Sequence, residues 1–496
     1  MPTQTRRQFL WQGAAAVTGR SRRPNILLAL SDDHSFPHVS AAGDPVVKTP
    51  AFDRVARSGV RFLNGFCPAP GCAPSRAALL TSRNIWQLEE AGTHASLFPK
   101  KWPVYTEVLA EAGYFVGLTG KGAGPCNYAD AGWKHNPAGP AFDDRKIGKT
   151  DLTIRNLDYA ANFQDFLRAK PADQPFCFWF GCSEPHRAYA LGSGRRAGMD
   201  PARVAVPGFL PDEPEIRSDI LDYYLEIQHF DAHLGKMLEI LEAAGELENT
   251  LIVVSGDNGM PFPRAKANLY EFGIHPPMAI AWAAGFQGNR EVEDLVTFID
   301  FGPTFYEAAG VRAPRGLTGR SLLPVLKSGK SGQVDPAFTQ IVSGRERHSH
   351  ARFDNLGYPC RALRTPEYLY IRNFKPDLWP AGDPPGYHDI DDSPSKRFML
   401  ERQDRLFELG FGKRPAEELY EVRRDPACIE NVAVQPEHAS TLRRVRGQLE
   451  RTLKAQGDPR MGRRGAIFDS YPRFSAMRPE LGGFAEQGQY NPKFRR

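Results

Sequence analysis

Long apolar runs are missing from this 496-residue chain. No stretch approaches the ~18 to 20 consecutive apolar residues of a membrane-spanning helix, which excludes an integral helical membrane protein. Cysteine is scarce and odd in number, seven in all, so a disulfide framework does not organise the fold. A dominant charge of one sign is also lacking, since 63 Lys and Arg stand against 58 Asp and Glu. The formal +5 belongs to the ends of the chain. Residues 1–23 carry five Arg and no acid, residues 450–496 carry ten basic and five acidic residues, and the body between them is left at −5. A nucleic-acid groove needs its basic excess on the folded body, so nucleic acid is excluded as a partner.

What is present is the composition of a globular protein: 41% hydrophobic, 24% charged and 11% aromatic. The length fits two or three domains, or one large α/β domain with a smaller companion. With 46 Gly and 42 Pro, many long, well-defined loops are expected. At the N-terminus, Thr5-Arg6-Arg7-Gln8-Phe9-Leu10 and the Ala-rich run to Gly19 resemble a twin-arginine export signal. That reading sends the protein to the periplasm or the medium. The alternative is a basic tail on a cytoplasmic protein, since Arg20-Ser21-Arg22-Arg23 offers no small-x-small cleavage site.

Four short runs, 25–30, 114–118, 176–180 and 250–254, are apolar on both faces and bounded by turn residues, as buried strands of a largely parallel sheet are. Helical patterns over 104–112 and 219–244 alternate with them. The expected fold is α/β: a large mixed, mostly parallel sheet between helices, with a smaller C-terminal antiparallel sheet. The first run ends in Asp32-Asp33-His34 and the second in Gly120-Lys121. The third ends in Glu184-Pro185-His186-Arg187 and the fourth in Asp257-Asn258. Open α/β sheets bind ligands at the carboxyl ends of their strands, so these groups are expected to converge. Asp32, Asp33, Asp257 and Asn258 offer oxygen alone, which suits a hard divalent cation, Ca²⁺ or Mg²⁺.

Gly71-Cys72-Ala73-Pro74-Ser75-Arg76 opens an Ala/Leu-rich helix, and a residue at that end faces free N–H groups suited to an anion. The alternative is a buried cysteine packed as a small hydrophobe. Cys-x-Pro-Ser-Arg followed by Leu79-Leu80-Thr81-Ser82-Arg83 resembles the signature of the type I, formylglycine-dependent sulfatases of the alkaline-phosphatase-like superfamily. The resemblance covers about residues 24 to 435. It implies that Cys72 is oxidised to formylglycine by a formylglycine-generating enzyme, and that the hydrated aldehyde attacks sulfate. It further implies Asp32, Asp33, Cys72, Asp257 and Asn258 at the metal, and Arg76, Lys121, His186 and Lys266 as sulfate-holding or proton-donating residues. Asp257-Asn258-Gly259-Met260-Pro261-Phe262-Pro263, Asn268-Leu269-Tyr270 and Pro185-His186-Arg187 look most like the heparan N-sulfatase (sulfamidase) branch. One departure stands out. The family's histidine two residues after Gly-Lys is absent, since Gly122-Ala123-Gly124-Pro125 follows Lys121, and His34 is a candidate to replace it.

Past residue 335 the runs shorten, and 361–364 and 368–371 flank Thr365-Pro366-Glu367 as a hairpin. The expected divisions are 1–23, a catalytic domain over 24–334, a subdomain over 335–456, and an Arg/Gly/Pro-rich tail over 457–496. Composition reads 344–352 as a solvated loop. The resemblance instead implies a wall over the site, with His34, Arg187, His275, Arg345, His348 and His350 as substrate-binding candidates. The substrate expected is a small sulfated carbohydrate. Two other functions fit the same residues: a phosphodiester or phosphonate monoester hydrolase, and a non-catalytic binder of sulfated glycans.

Overall fold

The computed structural model describes residues 23–482. Its main sheet has seven strands, in the edge-to-edge order Phe115–Gly120, Phe176–Gly181, Asn25–Ser31, Thr250–Gly256, Met278–Ala281, Val60–Phe62, Arg290–Val292. The first four are mutually parallel, and Met278–Ala281 runs antiparallel to both its neighbours. The strand Asn25–Ser31 shows why continuous apolar runs are needed here. Ile26, Leu28 and Leu30 enter one hydrophobic cluster, with Ala77, Leu109 and Phe305 of one helical layer. Leu27 and Ala29 enter another, with Phe163, Phe166 and Leu234 of the opposite layer. A strand covered on both faces cannot alternate polar with apolar residues.

The helix Cys72–Thr81 is buried on every side, all ten of its residues included. Its end is set by Ser82, whose φ of 55° turns the chain into the left-handed region. The long helix Pro214–Ala243 begins five residues before its expected start, with Pro at its first position and buried Ile216 one turn ahead of Ile220.

The smaller sheet is antiparallel throughout, in the order Ile341–Arg345, Cys360–Arg364, Tyr368–Asn373, Glu417–Glu421. Val445, Leu449 and Leu453 of the helix Ala439–Ala455 are buried beside it. This sheet is bonded to the approach to Cys72: Gly344 N–H donates to the carbonyl of Pro68, and Ser343 Oγ to that of Cys67. The run 344–352 is not a solvated loop; all but Ser349 are buried. Its charges go inside because they are paired: Arg345 and Arg352 each lie 2.7 Å from Asp389, and Glu346 accepts from Arg361 and Arg460. The segment after 457 is mostly half-buried or exposed as far as it is described, and is anchored at a few buried residues. Asp458 pairs with Arg361, and Arg473, 5% exposed, donates to the carbonyl of His348. The twin-arginine pattern lies outside the described residues. Among those described, no helix is long and apolar enough to cross a membrane.

Candidate active site

Four strand ends meet at the helix that starts with Cys72. Asp33 takes a φ of 63°, a left-handed turn that Asp tolerates, and its N–H donates to Asp257 Oδ1 at 3.0 Å. One oxygen from each of Asp32, Asp33 and Asp257 lies within 4.8 Å of the others, and all three residues are buried. Asn258 donates its amide to Asp33 Oδ1 at 2.6 Å, leaving its own Oδ1 buried with no partner. Asp32 Oδ1 is orphaned in the same way. Buried acceptors without donors are costly, and here one belongs to the three clustered carboxylates and a second stands beside them. This all-oxygen donor set fits a hard divalent cation.

Arg76 is fully buried and ties this cluster to the next strand end. Its Nε donates to Asp257 Oδ2 at 2.7 Å and its Nη1 to the carbonyls of Lys121, at 2.6 Å, and Gly122, at 3.1 Å. Its Nη2 is buried without an acceptor, a donor directed at nothing the protein supplies. Lys121 Nζ closes on Asp32, and Lys266 Nζ lies 2.5 Å from Asp33 Oδ2. Burial would discharge both lysines, but Asp32 and Asp33 respectively outweigh it and hold each ammonium charged. Burial raises both Asp32 and Asp257. At Asp32 the cations, Lys121 first, win and hold it low; at Asp257 the charge of Asp32 adds to burial and keeps it high.

Cys72 is 3% exposed. Burial, helped by Asp32 and Asp257, lifts its pKa against Lys121 and Lys266, so at neutral pH it is a thiol and a poor nucleophile. Its nearest polar partner is His94, whose Nε2 lies 3.5 Å from Sγ and whose Nδ1 is buried and unpartnered. Burial first, then His348, Arg473, Lys121 and Lys266 around it, keep this imidazole neutral. His186 donates from Nδ1 to its neighbour's carbonyl oxygen at 2.7 Å, which turns Nε2 toward Asp33 Oδ2, 3.7 Å away. His186, Asp32 and Lys121 line a cavity of about 330 Å³, with Thr153, Arg155 and Arg187 at its rim.

The structure thus brings together Asp32, Asp33, Cys72, Arg76, Lys121, His186, Asp257, Asn258 and Lys266. Most of the substrate-binding candidates are placed otherwise. His34 is sealed in its loop, Nδ1 against Ser31 Oγ and Nε2 against the carbonyl of His38, and burial lowers its pKa to about 3. It does not stand at Cys72, where His94 does. His275 stacks on Phe36 and bonds Glu271 and the carbonyl of Leu63. Arg345 commits both terminal nitrogens to Asn268, Asp389 and the carbonyl of Pro380. Arg187 reaches the cavity rim, but its guanidinium forks onto both oxygens of Asp219. His350 accepts from the N–H of Arg478 in the C-terminal segment. His348 comes closer, its ring centroid 4.6 Å from that of His94. Sequence reasoning missed His94, which sits in no motif, and Asp391, whose Oδ2 is 3.4 Å from Lys266 Nζ. The acidic run Asp389-Ile390-Asp391-Asp392 was the available signal for the second.

The sulfatase family model matches residues 24–311, and the model of the C-terminal region of N-sulphoglucosamine sulphohydrolase matches residues 264–375. Human N-sulphoglucosamine sulphohydrolase is 27% identical over 489 residues, covering 89% of this chain and 92% of its own. Among solved structures, a protein in complex with its substrate D-glucosamine-2-N,6-O-disulfate superposes with a TM-score of 0.66 at 20% identity, over 88% of this chain and 98% of that one. The phosphonate monoester hydrolase of Agrobacterium radiobacter superposes at 0.59 and 18% identity, over 88% of this chain and all of that one. At these identities the structural likenesses speak for the fold.

Proposed function

The chain belongs to the sulfatase family of sulfuric ester hydrolases, and from that premise we propose that it removes sulfate from a sulfated sugar or glycosaminoglycan fragment. In this reading Cys72 works as formylglycine, made by a formylglycine-generating enzyme, and Asp32, Asp33, Asp257 and Asn258 hold Ca²⁺ or Mg²⁺. The observation that carries it is a set of buried polar atoms of opposite need in one place. Two oxygens, Asp32 Oδ1 and Asn258 Oδ1, lack a donor, while one guanidinium nitrogen, Arg76 Nη2, lacks an acceptor. A cation answers the first and a sulfate oxygen the second.

A hydrated formylglycine supplies an oxygen nucleophile that is regenerated after each turnover, and the cation supplies charge neutralisation. Everything else falls to the chain's own groups. Arg76, Lys121 and Lys266 bind the sulfate oxygens and offset their charge from largely buried positions. Lys121 and Lys266 meet that role charged, because each is already paired with an aspartate. His186, with Nδ1 committed to a carbonyl, presents Nε2 as the proton donor to the departing atom. His94, neutral and within reach of position 72, accepts the proton that the nucleophile must lose. It takes the part for which the family's missing histidine would have served.

The test starts with a peptide mass across residue 72, where formylglycine shows as the mass lost when a thiol becomes an aldehyde. Preparations with that modification and a bound cation are then offered O-sulfated sugars, N-sulfated sugars and an aryl phosphonate. Turnover of a sulfated sugar supports the proposal. Preference for the phosphonate would make the chain a phosphonate hydrolase, and an unmodified thiol in a protein that still binds sulfated glycan would make it a binder. Export is proposed to depend on Arg6 and Arg7: changing both to Lys should leave active enzyme in the cytoplasm, and an unchanged exported fraction would overturn that.

A further inference from the structure

The cations at the site are already matched with carboxylates: Arg76 with Asp257, Lys121 with Asp32, Lys266 with Asp33. Asp391 is one carboxylate more. It comes from the loop between the strand Tyr368–Asn373 and the helix Pro394–Arg402, not from any of the four strand ends. Single ligand atoms of Asp391, Asp33 and His186 lie within 4.8 Å of one another. Its neighbours in sequence are spent. Asp389 accepts from Arg345, Arg352 and the N–H of Ser349, and Asp392 pairs with Lys396. Asp391 Oδ2 accepts no hydrogen bond, although it is buried, with Lys266 Nζ 3.4 Å away. The side chain as a whole is 33% exposed and that of His186 34%, so neither is sealed from solvent.

Asp391 shares Lys266 with Asp33, so its charge is only partly offset, and a carboxylate so placed beside a sulfate-binding site weakens sulfate binding unless the reaction brings it a positive charge. The two bonds a sulfatase might cut differ in this respect. An ester oxygen departs neutral or negative. A sulfamate nitrogen is protonated as the S–N bond breaks, keeps the bonding electron pair, and ends as an ammonium. The overall change is R–NH–SO₃⁻ + H₂O → R–NH₃⁺ + SO₄²⁻, in which the oxygen of water ends on sulfur and both its protons on nitrogen. A negative charge next to the proton donor His186 lies where that nitrogen departs. We propose that Asp391 is a specificity-determining residue that favours sulfamates of amino sugars by holding the positive charge gained by the leaving nitrogen. This rests on the sulfatase reading above.

The test uses full-length protein with formylglycine and cation confirmed, as wild type and Asp391→Asn. Asparagine keeps the shape and the ability to accept from a sugar hydroxyl, and removes the charge. On N-sulfoglucosamine the variant should lose about 30-fold more kcat/KM than on an O-sulfated N-acetylglucosamine, the scale of losing one partner of a desolvated charge pair. Calorimetric binding gives a second readout. Glucosamine should bind wild type several-fold tighter than N-acetylglucosamine, which has no ammonium, and that preference should vanish in Asp391→Asn. Equal losses on both substrates would mean a hydroxyl contact, and no preference for glucosamine in wild type would overturn the proposal outright. If wild type cleaves neither sugar, the sulfatase reading fails, while the binding measurement still decides the role of Asp391.

Discussion

Arg76 Nε and Asp257 Oδ2 meet at 2.7 Å with both side chains sealed from solvent, 0% and 1% exposed. Removing one partner of such a pair strands the other charge in a medium that cannot solvate it. Arg76→Met should therefore destabilise the metal-free protein by about 3–5 kcal/mol, the usual cost of breaking a buried pair. Urea unfolding checks this, and a loss under 1 kcal/mol would show that the pair is solvated.

Calcium should stabilise the protein through the same cluster. At one hundred times its dissociation constant, a ligand specific to the folded state contributes about 2.7 kcal/mol. Asp257→Ala removes one of three clustered carboxylates and should abolish both that shift and the bound metal, measured by plasma mass spectrometry. A full complement of metal in Asp257→Ala would show that Asp257 is not a ligand.

Cys72→Ala should abolish turnover while leaving the unfolding midpoint nearly unchanged, because the thiol makes a single 3.5 Å polar contact. His94→Ala should lower kcat by roughly 10²–10⁴-fold, the range for a positioned acid or base, with little change in KM. Added imidazole should restore part of the rate in His94→Ala. A wild-type kcat in that variant would remove His94 from the mechanism.

Glu226, buried on the long helix, has its pKa pushed up to about 9, first by burial and then by the charge of Glu184, against Arg187. A carboxyl whose folded pKa exceeds its ordinary 4.5 holds its proton better in the folded state. Its contribution is whole below pH 4.5 and is lost as the pH rises toward 9. Glu226→Gln should thus flatten the pH dependence and raise stability at pH 7 by about 3 kcal/mol, with little effect at pH 4. Equal stability changes at both pH values would sink this account.

The strand ends were legible because their physics is local. Buried parallel strands must be apolar on both faces, and polar residues just beyond them have the carboxyl edge of the sheet to occupy. His94 was not legible: its backbone N–H is held by the carbonyl of Arg347, a residue just past a strand of the other sheet, and no spacing along the chain announces that. Adjacency misled at His34. It follows the two aspartates in sequence, yet the left-handed turn at Asp33 leaves its ring enclosed by its own loop. Composition misled at 344–352, where shared partners such as Asp389, invisible in sequence, allow the arginines to be buried.

Translation puts the contacts around Cys72 in a time order. Arg473, which braces His348 behind His94, is synthesised roughly 400 residues after Cys72. At ~5–20 residues per second that interval is on the order of 20–80 s. If Cys72 is oxidised as proposed, an enzyme reaching it within that interval meets a thiol whose surroundings are not yet assembled, and one arriving later meets a side chain 3% exposed. Maturation would then be a race whose length the ribosome sets, and slower decoding of the last third of the message would raise the fraction of chains that leave it modified.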